Sequence, residues 1–575
     1  AVVWNDPALL DMYLAELYAC TPVMVNDATC LYDSSPMNRD GNDWGTVMGY
    51  SEQMEGTVRM LEITDEAKYN FGAQAHMLDI KDNGFQVNST QMQWWGNAYY
   101  TIRNLNDFIE RAAESSISNV NERIAEARFL RAFCYFAMVK RYGGVPLITE
   151  VQSIDADSTA LYPKRNTEKE LYDFILKDLD EAIERLPVDV ASGRISKGAA
   201  YALKAEVCLQ GAAYLDDTNE KRDYYTQAKT ASESLFGLNK YSLDPDFKGL
   251  FNDYSVGTNS SEIILGVYNI SENTSFQNTW MQELVPNMNM DKAIDGVWEK
   301  WPLDKNFEGW MDRAPSQEVT DAFLVIDKDG VAKPWNEASY YTEDFKQGKL
   351  WVNDAIYGHR DKRFAATIVY DSCRFFTSLV TTRLKGNIHY LSNKEQARHV
   401  TKSGYVYRKG VYEDKWLWYS DPTNYHYVVL RLGRSYLNYA EAMLRLGDKS
   451  SAIEYINKTR DVHGGLPGLT ATTSLEDVWK YYKIERRAEL VQENDRYWSL
   501  LRWGKEEGLN VIPELNTTPT AITISEDGRT FSIGTVQAVE AANARVFTKR
   551  RYLLPVPRSE RNENPNLADD QNPGW

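Results

Sequence analysis

The chain has 575 residues, 43% hydrophobic and 25% charged, a balance that excludes a disordered polypeptide. Its net charge of −18 excludes a nucleic-acid binder, because neutralising phosphates needs a basic face. No run approaches about 18 apolar residues, so no membrane-spanning helix is expected.

Chain order begins with a helix over Ala8–Ala19, ending beside Cys20. Nothing upstream has the basic and apolar regions of a targeting segment. Residues 33–47, which end in MNRDGNDWGTV, are polar and turn-forming, with Asp40, Asn42, Asp43 and Trp44 clustered. They suit a sugar clamp, in which carboxylate and amide oxygens accept from adjacent hydroxyls while the indole stacks on a ring face. A Ca²⁺ loop is a second reading, although the EF-hand spacing is absent. A solvated loop with Asx-turns is a third. Asp65 belongs to the same region and reads either as part of the clamp or as a helix cap. Trp94 and Trp95 open the next helix.

EARFLRAFCYFAMVKRYGGVPLITE, residues 126–150, is a helix apolar around most of its circumference, which predicts burial on several sides. Arg128, Arg131, Lys140 and Arg141 would snorkel or pair with carboxylates, with Glu485, Glu489 and Glu493 as possible partners. Gly143 and Gly144 read as a left-handed cap, and Pro146 blocks continuation. Thr167 and Glu170 form a capping box before helically spaced Leu171, Phe174, Ile175 and Leu179. Ser196 caps a helix lined with alanines, and a third helix stops at Gly237. From about 240 to 430 the pattern dissolves into turn-rich pieces such as LDPDFKGLF and YHYVVLRLG, with Trp298 and Trp301 among acids and prolines. Two amphipathic helices joined at Gly447-Asp448 resemble a tetratricopeptide repeat, and Val478–Trp503 reads as one further helix. The end, LLPVPRSERNENPNLADDQNPGW, is too rich in proline for a long helix.

The aromatic content is unusual, with 36 Tyr, 16 Trp and 19 Phe. Such rings serve cores and wet surfaces alike, and they can stack on the C–H faces of sugars. Five scattered cysteines, Cys134 and Cys208 on apolar faces, predict buried free thiols. The six histidines form no metal-binding pair, and no zinc spacing, nucleophile elbow, Walker loop or dinucleotide fingerprint is present. A glycoside hydrolase needs two flanking carboxylates, but among 82 acidic residues a pair carries no information.

Several of these segments, in one order, resemble the SusD/RagB family. They are Trp95 to Asn104, RYGGVPL, residues 165–187, GRISKGAAYALKAEVCL, YSLDPDFKGLF, PSQEVTDAFLVIDKDG, HRDKRFAATIVY, ERRAELVQENDRYWSLLRWG and the proline-rich end. The resemblance spans about residues 90–575. It implies a mostly α, SusD-like fold: about four tetratricopeptide-like helix pairs, a long loop-rich irregular region and a few short strands. It implies one domain over 1–575, with scaffold at about 91–240 and 431–505 and the ligand-binding part at about 20–90 and 241–430.

The implied function is capture of an oligosaccharide, or in some members a peptide, without catalysis. The implied partner is a SusC-like TonB-dependent transporter, and the implied place is the extracellular face of the outer membrane, held by a lipid anchor. Cys20 is poorly placed to carry that lipid, so the anchor is expected to be absent from this sequence. No cofactor is implied. The family pattern places Trp95 in packing and leaves Trp94 as a candidate ligand face. Arg363 and Tyr390 fall in the middle region that members use near the site; an arginine there reads either as a fork for two hydroxyls or as a structural ion pair. A glycoside hydrolase and a peptide-binding or helical-repeat interaction protein stand as alternatives.

Overall fold

A computed structural model describes residues 3–21, 59–69, 87, 92, 94–276, 279–286, 309, 311, 313–376, 378–388, 401–414, 418, 420–535 and 545–575. The chain is mostly helical. α1 (Pro7–Ala19) starts under Asp6, whose carboxylate accepts from the Ala8 and Leu9 N–H groups. α2 (Gly96–Ala112), α3 (Val120–Tyr142), α4 (Glu168–Arg185), α5 (Lys197–Ala213) and α6 (Thr218–Gly237) each pack on their neighbour in sequence. The short α7 (Phe247–Asn252) and α8 (Tyr254–Asn259) follow. Then α9 (Leu432–Leu446) packs on α6 and α10 (Lys449–Val462), and α11 (Leu475–Leu490) continues the stack. The expected pairs are thus α3 with α4, α5 with α6 and α9 with α10. α2 and α11 flank them, and α12 (Arg496–Glu506) lies against α5.

The local signals act as read. Thr167 Oγ1 accepts from the Glu170 N–H at 3.2 Å, and Glu170 accepts from the Thr167 N–H at 2.8 Å. Replacing Thr167 with alanine should lower stability by about 0.5–2 kcal/mol, seen as a lower urea midpoint at unchanged slope. Gly447 turns between α9 and α10 at φ 88°, and Asp448 caps the second helix through the Ser451 N–H. Cys134, Cys208 and Cys373 are buried free thiols, and Cys20 is buried as well.

The stretch read as one helix over Val478–Trp503 is instead α11 and α12, with a break between. Gln492 and Asn494 sit at φ 63° and 52°, and Asp495 is drawn back onto Arg486 at 2.7 Å. A buried ion pair wins there over helical continuity.

α3 is buried along most of its length. Its Arg131 makes two bonds of 2.7 Å to Asp178 on α4, joined by Arg128 at 3.3 Å. Glu485, Glu489 and Glu493 therefore serve other cations. Gly143 ends α3 at φ 71°, ψ −136°, a conformation open to glycine but outside the left-handed helical well expected there. The turn is a docking point for the end of the chain. Arg165 donates to the Gly144 and Tyr142 carbonyls and reaches Asp570 and Asn572. The Asn572 amide donates to the Tyr142 and Leu554 carbonyls.

Among the described residues every sheet has two strands. The longest ribbon pairs β1 (Ile263–Asn269) antiparallel with β2 (Tyr425–Arg431). It separates two cores: Ile264, Leu265 and Leu430 belong to the helical core, while Tyr425 and Tyr427 belong to one beneath the irregular region, with Tyr357, Phe364 and Tyr405.

At this seam lies a buried ionic network. Arg431 bonds Glu262 at 2.8 Å, Glu489 at 2.7 Å and Glu493 at 2.8 Å. Arg363 bonds Asp361, Glu485 and Glu489 at 2.6–2.7 Å. Lys409 reaches Glu493 at 2.7 Å, and His463 lies between Glu489 at 2.6 Å and Glu262 at 3.0 Å. These charges tie β2, α11 and the irregular region into one unit.

Candidate functional site

Of the residues singled out from sequence, Asp40, Asn42, Asp43, Trp44, Trp298, Trp301 and Tyr390 lie outside the described residues, as does the loop read as a possible calcium site. The structure places the other three in the interior. Asp65 is 4% exposed and is held by Arg496 at 2.9 and 3.0 Å and Arg487 at 3.1 Å. Burial alone would raise its pKa, but the guanidiniums outweigh it and hold the carboxyl below its ordinary range. It is an ion-pair anchor, neither clamp nor helix cap. Trp94 is 1% exposed and packs in the helical core, while its backbone N–H donates to Tyr142 Oη at 2.7 Å. Arg363 has no exposed surface and is consumed by three carboxylates. None of the three has a face to offer a ligand.

The seam network contains a grouping of metal-binding residue types, Glu262, His463 and Glu489. The two carboxylates engage opposite ring nitrogens, Nε2 and Nδ1, so one ion could not replace both contacts. Salt-bridge chemistry fits this geometry better than coordination.

What the structure offers is a cleft of about 590 Å³ between α7–α8 and the segment leading into β2. α7 is amphipathic over one turn and a half. Phe247 and Phe251 face inward over the Lys409 ammonium, at 5.2 and 4.1 Å, and lie near Arg431. Asp246, Lys248 and Asn252 line the cleft. Asp246 caps α7 through the Gly249 N–H at 2.8 Å, and Asp253 caps α8 through Val256 at 3.0 Å. Lys248 reaches across to Glu413 at 3.2 Å, and Glu413 also pairs with Arg408.

Tyr254, Tyr412, Asp414 and Asn424 complete the lining. His426 on β2 holds these walls from behind. Its Nε2–H donates to the Leu250 carbonyl at 2.8 Å, so Nδ1 is left to accept from the Tyr412 hydroxyl. Burial depresses its pKa, which favours this neutral form. Gly257 allows the approach, since a Cβ there would lie 2.2 Å from His426 Nε2.

The groups turned to the cleft are those of a hydroxyl-recognising site. Asn424 Oδ1 accepts from the Ser271 N–H at 2.7 Å, leaving its NH₂ as a donor. Among the described residues, the Tyr254 hydroxyl and Asp414 carboxylate make no hydrogen bond. On the same segment Trp418 is 43% exposed, its backbone fixed by a bond of 2.8 Å to Asp421. A second cavity of about 520 Å³ lies beside α11 and α12, but its Lys483 and Arg496 are spent on Glu507 and Asp65.

Sequence reading passed over these residues. LDPDFKGLF and YHYVVLRLG were visible as turn-rich pieces, yet nothing local says that they face each other across more than 150 residues. The available signal was density: Asn, Asp, Tyr and Trp crowd residues 412–424.

A family model described as the SusD family matches residues 261–575, and another described as "Starch-binding associating with outer membrane" matches 46–209. A SusD-like protein of Formosa agariphila is 25% identical over 442 residues, covering 74% of this chain and 75% of that one. The crystal structure of a SusD-like protein from Bacteroides fragilis superposes with TM-score 0.75 at 26% identity, covering 100% of this chain and 98% of the other. A SusD-like carbohydrate-binding protein of the same species gives 0.73 at 20% identity, covering 99% and 100%.

Proposed function

The chain belongs to the SusD family, and from that premise we propose that it is a glycan-binding protein of the outer-membrane surface. It holds an oligosaccharide by ring stacking and hydroxyl recognition and passes it, with every bond intact, to a SusC-like TonB-dependent transporter. A lipid anchor holds it on the extracellular face. The description of the second matching model, which couples starch binding with the outer membrane, supports this reading. So does a structural neighbour of the same fold that is a carbohydrate-binding protein.

The observation that carries the reading is the cleft: an aromatic phenol, an exposed indole on the adjoining segment, the Asn424 NH₂ and, among the described residues, an Asp414 carboxylate that makes no hydrogen bond. Donors and acceptors set beside aromatic faces match a sugar's alternation of hydroxyls and C–H surfaces. Trp44, Trp298 and Trp301 remain proposed as further stacking faces.

A glycan-array screen followed by calorimetry on the best ligand tests this. Tyr254→Ala and Trp418→Ala should each weaken binding by about 1–3 kcal/mol, the range for loss of one stacked aromatic face. Unchanged affinity in both would move the site elsewhere. Release of new reducing ends from the ligand would replace the reading with a glycoside hydrolase.

A further inference from the structure

We propose that the cleft selects neutral or amino-bearing oligosaccharides and rejects those carrying carboxylate or sulfate groups; this rests on the cleft being the glycan site. Its lining carries four carboxylates, Asp246, Asp253, Glu413 and Asp414, against one ammonium, Lys248. That ammonium is already committed to Glu413 at 3.2 Å, and Arg408 stands behind the same carboxylate at 3.2 Å. Glu413 is therefore compensated from both sides. Asp246, Asp253 and Asp414 make no ion pair among the described residues, and the only bonds that the first two accept come from the backbone N–H groups they cap.

The chemistry that follows is asymmetric. An ionised carboxylate only accepts hydrogen bonds, and a sugar hydroxyl donates readily, so neutral rings fit this lining. An ammonium on an amino sugar would add an attractive charge. A uronate or sulfate would place like charge beside carboxylates in a half-enclosed space, where solvent screens poorly and, among the described lining residues, no uncommitted cation answers it. The cations of the cavity beside α11 and α12 offer no alternative, since Lys483 is spent on Glu507 and both Arg487 and Arg496 on Asp65.

Calorimetry on the full chain with four oligosaccharide sets of matched length tests this: a neutral glucan, a chitosan oligomer at pH 6, an oligogalacturonate and a sulfated glycan. The expected result is binding of a neutral or amino-bearing set, with the acidic sets at least about tenfold weaker at low salt. That gap should narrow as salt is raised. The double variant Asp253→Asn with Asp414→Asn should narrow it too, while leaving Tyr254→Ala as damaging as before. Tighter binding of the galacturonate or sulfated set, still lost in Tyr254→Ala, would overturn the charge preference and leave the glycan reading standing. Binding of no set would overturn both.

Discussion

Replacing Arg431 with alanine should destabilise the protein by about 3–5 kcal/mol, the cost of leaving buried charge unpaired. Arg431 is fully buried and meets Glu262, Glu489 and Glu493 at 2.7–2.8 Å, as well as the Glu489 carbonyl at 2.9 Å. Its removal leaves three buried carboxylates to share only His463, Arg363 and Lys409, in an interior that hydrates them poorly. Burial alone would raise the pKa of Glu489, but His463 and Arg431 outweigh it and keep the group ionised. Without Arg431 that balance is weakened, with His463 and Arg363 left to hold it. The change also withdraws the cation near Phe247 and Phe251, so α7 and the cleft it lines lose part of their support. Urea denaturation of Arg431→Ala beside the parent measures the loss. A midpoint within error of the parent would show that the network is not the seam's support.

The second large effect is a stability that falls in alkali. Burial pushes the His463 pKa down, but Glu489 and Glu262 outweigh it and carry it up to about 10. The unfolded histidine releases its proton near its ordinary value of 6.5. The folded state therefore binds the extra proton between those limits. Its stabilising contribution is complete below about pH 6.5, erodes as pH rises and is gone once pH passes about 10. The amount is on the order of several kcal/mol. The Glu66 carboxyl, which burial raises to about 8, adds loss in the same direction. Melting temperatures at pH 6.5 to 10 for the parent and His463→Gln separate the two contributions. The parent should fall steeply and the variant should follow a shallower slope from a lower start. Equal slopes would remove His463 as the cause.

The scaffold was legible because helices announce themselves locally. The Thr167 box, the Ser196 cap, the Gly447-Asp448 turn and the glycine stop after Tyr142 depend on residues a few positions apart. The candidate site was not legible for the opposite reason. Asp65, Trp94 and Arg363 were chosen by residue type, and type does not reveal burial. A carboxylate or guanidinium drawn into a core by distant partners looks in sequence like one that faces solvent. Glu485 and Glu489 were recognised as acids in need of cations, but the cations came from residues 363, 431 and 463, and not from α3. The cleft depends on α7, α8 and the segment before β2 meeting, and no periodicity encodes that meeting.

The clasp around Gly143 has a consequence for how the molecule is assembled. The carbonyls of Tyr142 and Gly144 belong to the first quarter of the chain, yet Asn572 satisfies one, and Asp570 and Asn572 steady the Arg165 that satisfies both. Synthesis must run past residue 572 before this corner can close. α3 thus waits, open at one end, for residues 570–572 to arrive, and a polypeptide cut short upstream of them would betray itself by that gap.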